Sequence, residues 1–279
     1  MIRILALDLD DTLLTEELCI GEEDAEAVRA AEVAGVTVLL ASGRTLFSMK
    51  PYVERLGMWR REGYMIANNG ATVLSTLDRS TLLERTLDPV IGLEVWRTAQ
   101  RYGLTMQYYG DGEIFCSGPS PYTEEDCRLT GQVWKIVAPF EESLLHPRTK
   151  FVVPGDPSIL PGVESELKEK LGDEANIFIS KPYFLEILRG DADKGTALQF
   201  IANECGVPSS EVMAIGDSMN DFGMLRWAGT GVAIANAHPS IIRVADYVTE
   251  RSHQDCGVAE AIKRFIPRVG NSQSVHSHP

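Results

Sequence analysis

The chain has 279 residues, enough for one large domain or a core with a smaller second one. Its 44% hydrophobic and 24% charged residues are those of an ordinary folded protein and exclude disordered, collagenous and coiled-coil classes. A net charge of −14 disfavours broad contact with nucleic acid or an anionic membrane face; a small phosphorylated molecule held at a local positive site stays compatible, because salt screens distant charge.

Five cysteines (Cys19, Cys116, Cys127, Cys205 and Cys256), with no C-x-x-C pair, argue against a zinc site or a disulfide framework and fit a reducing cytoplasm. The longest apolar runs, at 36–41 and 232–235, are too short to span a bilayer. The chain opens on a core-like strand and not on a signal-peptide pattern, so a cytoplasmic location is expected.

Residues 2–7 form an apolar run broken by Arg3, as in a strand buried on both faces of a parallel sheet. An alanine-rich helix over 22–34 ends at Gly35, and a β-branched strand over 36–40 completes a βαβ unit. A helix at 45–56 and a strand at 64–67 repeat the pattern. After Asn68-Asn69-Gly70 the rhythm changes. Short strands are expected at 81–86, 104–109, 113–116, 133–137, 150–153, 177–180 and 184–188, with helices near 90–101 and 159–171. Val163, Leu167 and Leu171 form one stripe of the second helix. One of Tyr108 and Tyr109 is expected in the core of this region and the other on a pocket.

Beyond Lys194 the α/β alternation resumes. A helix carries Leu198, Ile201 and Cys205 on one face; a strand at 212–215, a helix at 221–227, a strand at 231–235, a helix at 239–244 and a strand at 247–248 follow, before a last helix over 258–265. The polar tail at 269–279 is expected to be disordered or left over from processing. The fold class is therefore α/β, a Rossmann-like parallel-sheet core (1–85 and 188–268) with an inserted α+β cap (86–187).

The first strand runs into Asp8-Leu9-Asp10-Asp11-Thr12, and a side-chain period of two puts Asp8 and Asp10 on one side of the chain. Taken alone, this cluster reads equally well as a polar turn or a helix cap. Ser42-Gly43-Arg44 follows the second strand, where a hydroxyl and helix N–H groups can hold an anion, although a lone serine there is usually a cap. Lys194 opens a helix whose dipole adds to its charge. Gly216-Asp217-Ser218-Met219-Asn220-Asp221 follows another buried strand.

In open α/β sheets ligands bind beyond the carboxyl ends of strands, so these stations converge on one edge. Asp8, Asp10, Asp217 and Asp221 bring about −4 and a phosphate dianion about −2, against about +3 from Lys194 and one Mg²⁺. Such a site asks for a hard divalent cation and a protonated acid.

These stations, in this order and strand context, resemble the four motifs of the haloacid dehalogenase-like superfamily of phosphatases. The insertion after Asn68-Asn69-Gly70-Ala71 resembles the type IIB cap of its Cof-type subfamily. The runs Gly231-Val232-Ala233-Ile234-Ala235-Asn236-Ala237, Ala245-Asp246-Tyr247-Val248-Thr249 and Gly257-Val258-Ala259 resemble the same subfamily.

The resemblance implies an Mg²⁺-dependent hydrolysis of small phosphate monoesters, with Asp8 as nucleophile and Asp10 as general acid/base. It implies Asp8, the Asp10 carbonyl and Asp217 as metal ligands, and Leu9, Ser42, Gly43, Lys194 and Asn220 as phosphate-binding residues. Thr12 and Asp221 would support them. The expected partner is a small phosphorylated metabolite, with no nucleic acid and no membrane, on a monomer or weak homo-oligomer.

Two rival chemistries use related parts: a phosphoryl transferase sharing the aspartyl phosphate, and a receiver module, which is about half as long and lacks the insertion. Asp11 is expected at the surface, Asp191 and Asp193 as caps of the Lys194 helix, Arg44 either on phosphate or in an ion pair, and His238-Pro239 as a helix start. His146, His238 and His253 lack the spacing of a metal site.

Overall fold

In a computed structural model the described residues are 1–266; the tail at 269–279 lies outside them. Strands and helices follow in chain order. They are β1 (Ile4–Asp8), α1 (Glu22–Val33), β2 (Thr37–Ala41), α2 (Leu46–Leu56), β3 (Gly63–Ala67), β4 (Thr72–Ser75), β5 (Thr81–Glu84), α3 (Pro89–Arg101), β6 (Gln107–Tyr109), β7 (Glu113–Cys116), α4 (Pro121–Thr130), β8 (Val133–Ile136), α5 (Phe140–Ser143) and β9 (Lys150–Pro154). Then come α6 (Leu160–Leu171), β10 (Ala175–Lys181), β11 (Phe184–Arg189), α7 (Lys194–Glu204), β12 (Val212–Gly216), α8 (Phe222–Trp227), β13 (Thr230–Ala233), α9 (Pro239–Ile242), β14 (Tyr247–Val248) and α10 (Gly257–Phe265).

The chain divides into two compact units. Among the described residues the first takes Met1–Gly43, Met49–Leu82 and residues 193–266; the second takes Arg44–Ser48 and Leu83–Ala192.

The first unit is built on an eight-stranded sheet in the order β14-β13-β12-β1-β2-β3-β4-β5. From β14 to β3 every pairing is parallel, so each strand must be buried on both faces. The sequence obeys: β1, β3 and β12 are buried along their whole lengths. Gly35, at φ 89°, closes α1 in the left-handed conformation while Val36 N–H bonds back to the Ala31 carbonyl, as the alanine-rich pattern predicts. The chain runs outward from β1 through β2 and β3 on one side and through β12, β13 and β14 on the other. The topological switch point therefore lies at the carboxyl end of β1, at Asp8.

One strand here was not expected. The strand at 72–75 lacked a marked apolar period, yet it pairs antiparallel with β3 once the Asn68-Asn69-Gly70 turn reverses the chain. Together with β5 it extends the first sheet and does not join the second.

The second unit carries a six-stranded sheet in the order β10-β11-β9-β6-β7-β8, antiparallel except between β7 and β8. Residues of α3 and α6, among them Val95, Ala99, Val163 and Leu167, share one apolar core with Tyr108, Phe151, Leu185 and Ile187 of the strands. Alternation sends the neighbouring residues Gln107, Tyr109, Lys150 and Glu186 to the other face. Tyr108 is thus the core tyrosine, and Tyr109 donates instead to Asp126 Oδ2 at 2.5 Å.

Helix α4 was not expected, because its exposed positions are nearly all polar and leave little periodic signal. Its end signals are nonetheless plain: Ser120 caps the Tyr122 N–H, Pro121 opens the helix, and Gly131 closes it at φ 71°.

Candidate active site

Four connections of the first unit leave the carboxyl edge of its sheet beside Asp8. Ser42 follows β2, whose Ala41 is the register partner of Asp8; Asn68 follows β3; Asp217 follows β12; and Lys194 begins α7. Ser42 is fully buried, with its N–H on the Ile66 carbonyl at 2.8 Å and its own carbonyl accepting from Asn69 N–H at 3.0 Å.

Asn68, Asn69 and Gly70 are all left-handed, at φ 49°, 51° and 92°. A Cβ on Gly70 would overlap the Asp193 carbonyl, so this glycine lets the turn lie directly against the residue before Lys194. The role of this turn was not read from the sequence, although two asparagines before a glycine are the signal for it.

Lys194 is entirely buried, and its Nζ donates to Asp8 Oδ1 and Asp221 Oδ1, each at 2.6 Å. Asp221 Oδ2 accepts the N–H groups of Asp217 and Ser218, both at 3.0 Å. Asp221 is therefore committed on both oxygens. Thr12 Oγ1 donates to Asp217 Oδ1 at 3.1 Å, and Ser218 Oγ donates to Asp217 Oδ2 at 2.7 Å. One oxygen from each of Asp8, Asp217 and Asp221 lies within 4.8 Å of the others.

Three buried carboxylates against one lysine leave surplus negative charge. Burial first, then Asp221, with Asp217 and Asp10 adding to it, raises the Asp8 pKa well above the usual carboxylate range, against the lowering pull of Lys194. Asp217 is pushed up to about 6, by burial and then by Asp221. Burial alone would lower the Lys194 pKa, but its two carboxylate partners outweigh it and raise the value.

The loop after β1 is a wide turn closed by Leu14 N–H on the Leu9 carbonyl at 2.9 Å. Within it Asp10 is extended (φ −68°, ψ 129°) and Asp11 left-handed (φ 57°, ψ 13°). Leu9 is fully buried. Gly43 sits against the Asn69 amide, where a Cβ would meet Nδ2 at 3.0 Å, and Asn220 Nδ2 donates to Asn69 Oδ1 at 3.0 Å. Asn69 thereby links the loops that carry Gly43 and Asn220, a part that sequence reading missed.

Asp193 caps α7 as expected, accepting from Thr196 N–H at 3.0 Å. Asp191 does not cap it: its oxygens take Arg189 Nε and Nη2, both at 2.5 Å, because it precedes the cap position by two residues and lies beside that guanidinium. Arg44 donates to the Leu129 carbonyl at 2.9 Å within the second unit. His238 caps α9 through Nδ1 to Ser240 N–H at 3.2 Å, as the following proline suggested. The Asp11 side chain is 66% exposed.

The sequence pattern of the haloacid dehalogenase-like hydrolases matches residues 5–262. The 5-amino-6-(5-phospho-D-ribitylamino)uracil phosphatase YcsE of Bacillus subtilis (strain 168) is 30% identical over 268 residues, which cover 95% of this chain and 96% of that protein. A haloacid dehalogenase-like hydrolase from Bacteroides thetaiotaomicron superposes with a TM-score of 0.89 at 30% identity, over 95% of this chain and 99% of that one. A subclass IIB sugar phosphatase shares the fold at 22% identity and a TM-score of 0.81, over 94% of this chain and 98% of that one. Sequence pattern, fold and the acidic edge of the sheet agree: the chain is an enzyme of the haloacid dehalogenase-like hydrolase family.

Proposed function

We propose that the protein is an Mg²⁺-dependent phosphatase of small phosphate monoesters, such as sugar phosphates or other phosphorylated metabolites, acting through an aspartyl phosphate on Asp8. The observation that carries this reading is the buried Lys194 ammonium bridging Asp8 and Asp221 at 2.6 Å, at the switch point of a parallel sheet.

The donor set fits the metal. Surplus carboxylate charge and all-oxygen ligands are what Mg²⁺ selects, and the raised proton affinities of Asp8 and Asp217 report a place where positive charge is wanted. Asp8, Asp217 and the Asp10 carbonyl would hold the ion, while Asp221, engaged on both oxygens, steadies Lys194 and the Asp217 loop. Bound there, Mg²⁺ would draw charge from the phosphoryl oxygens and keep Asp8 ionised at neutral pH.

In the first step an Asp8 carboxylate oxygen attacks phosphorus, and the bond to the ester oxygen breaks with its electron pair on that oxygen. Asp10 supplies the proton the departing alkoxide needs. Asp10, now a carboxylate, takes a proton from water as the water oxygen attacks phosphorus, which frees phosphate and Asp8. Ser42, Lys194, Asn220 and the backbone at Leu9 and Gly43 hold the phosphoryl oxygens, and Thr12 keeps Asp217 in register.

The inserted segment serves as the type IIB cap, expected at 86–187 between core segments 1–85 and 188–268 and matched by the longer stretch of the second unit, Leu83–Ala192; it selects the leaving group. Among the described residues no helix is long and apolar enough to cross a membrane.

The test is release of free phosphate from p-nitrophenyl phosphate. Turnover should vanish on chelation, return with Mg²⁺, and vanish in Asp8→Asn with the circular dichroism spectrum unchanged. Turnover that persists in the chelated enzyme, or in that variant, sinks the reading. Phosphate appearing on an added sugar hydroxyl, with little released free, would instead identify a phosphoryl transferase.

A further inference from the structure

The turn after β13 supports the acidic loops from outside. His238 N–H donates to the Asp217 carbonyl at 2.9 Å, and Asn236 Nδ2 donates to the Asp11 carbonyl at 2.8 Å. On its other side Asn236 Oδ1 accepts the His253 N–H at 3.0 Å. Both ends of one amide are thereby engaged, which fixes which end faces Asp11.

The target is a demanding one. Asp11 is a non-glycine residue at φ 57°, its side chain turned largely to solvent, and it stands between Asp10 and the buried Thr12. A left-handed residue with an exposed side chain needs its peptide held from outside, and the carbonyl that Asn236 grips is the one that leaves this strained position. His253 adds a weaker contact, its Nε2 lying 3.8 Å from Asp11 Oδ1.

We infer that Asn236 is a positioning residue: its amide clamps the Asp11 carbonyl and thereby aims Asp10 at the ester oxygen, while the same turn spaces that loop from Asp217. The inference rests on the phosphatase reading, in which Asp10 protonates the leaving oxygen as the phosphorus–oxygen bond breaks. Without the clamp the Asp11–Thr12 peptide can rotate and the left-handed turn that follows Asp10 can relax; an acid misplaced by about 1 Å loses on the order of a hundredfold in rate. Ser42 and Lys194, held by β2 and α7, are untouched, so phosphate binding is unaffected.

Leaving-group chemistry isolates this effect. Nitrophenolate departs without a proton, whereas an alkoxide needs one. With Mg²⁺ present, Asn236→Ala should lower kcat/KM for β-glycerophosphate about 10- to 100-fold. The value for p-nitrophenyl phosphate should fall less than about threefold, and competitive inhibition by inorganic phosphate should stay within about twofold.

Asn236→Asp keeps the acceptor for His253 and loses the donor to Asp11, so it should show the same selective loss and covers the case in which the alanine variant fails to fold. Equal losses on both esters, or weaker phosphate inhibition in step with the rate, would overturn the clamp. A wild-type enzyme that hydrolyses neither ester would instead overturn the phosphatase reading beneath it.

Discussion

Replacing Lys194 by methionine removes the one ammonium that the structure sets among Asp8, Asp217 and Asp221. Each of its 2.6 Å ion pairs is worth roughly 6 kcal/mol of Coulomb energy at an effective dielectric constant of about 20, much of it offset by the cost of burying the charges. What counts is the penalty of stranding the carboxylates, about 3–5 kcal/mol when a buried partner is lost.

That penalty depends on pH in a definite direction. Asp217, at about 6, and Asp8, also raised by burial and its carboxylate neighbours, hold protons more tightly in the folded chain than in the unfolded one. Protonation therefore stabilises the fold in acid, and the contribution is lost as pH rises through the folded-state values. In Lys194→Met the proton takes over part of the lysine's role. The loss should be about 3–5 kcal/mol at pH 7.5 and smaller by about 1–2 kcal/mol at pH 5. Urea denaturation of both proteins in chelator, followed by tryptophan fluorescence at several pH values, measures it. A loss equal at the two pH values, or below about 1 kcal/mol at pH 7.5, would refute the account of a crowded carboxylate cluster.

Three further outcomes follow from other positions. Asp24 is buried and accepts the Ala259 N–H at 2.7 Å, yet burial raises it to about 6, so the folded chain loses stability as pH climbs from about 4 to 6. Asp24→Asn should flatten that limb by up to about 3 kcal/mol; an unchanged slope in pH-dependent urea midpoints would contradict it. Gly70→Ala should cost about 2–4 kcal/mol and most of the activity, since its Cβ would strike the Asp193 carbonyl, while Gly35→Ala, at a similar φ but with open space, should cost about 1 kcal/mol. Equal losses in the pair would show that the close approach is unimportant. Mg²⁺ should raise the thermal midpoint more at pH 7.5 than at pH 5, because protons compete at Asp8 and Asp217; a shift independent of pH would place the ion elsewhere.

The sequence announced Asp8, Ser42 and Asp217 because each follows an apolar run that can only be a parallel strand, and strand ends define a shared edge. Asp193 and Lys194 were legible as a cap and a helix start. The contacts that join these stations were not, since Lys194 meets Asp8 across 186 positions and Asn236 meets Asp11 across 225, separations with no local period. Helix α4 and strand β4 escaped because neither carries a marked apolar period: α4 is mostly polar, and β4 is short and is held by pairing with β3 across the Asn68-Asn69-Gly70 turn. Of the neighbours Tyr108 and Tyr109, alternation said that one faces the core; only the pairing of β6 with β9 decides which.

The switch point at β1 has a consequence for how the protein is made. On a ribosome the N-terminal 82 residues supply Asp8 and Ser42, yet β12, the neighbour of β1 on its other side, is translated only after the second unit is complete. Until then the nascent sheet has an open edge where Asp217 will later stand. The acidic cluster of Asp8, Asp217 and Asp221 is thus assembled only late in synthesis, and truncated products lacking β12 should be easy prey for proteases.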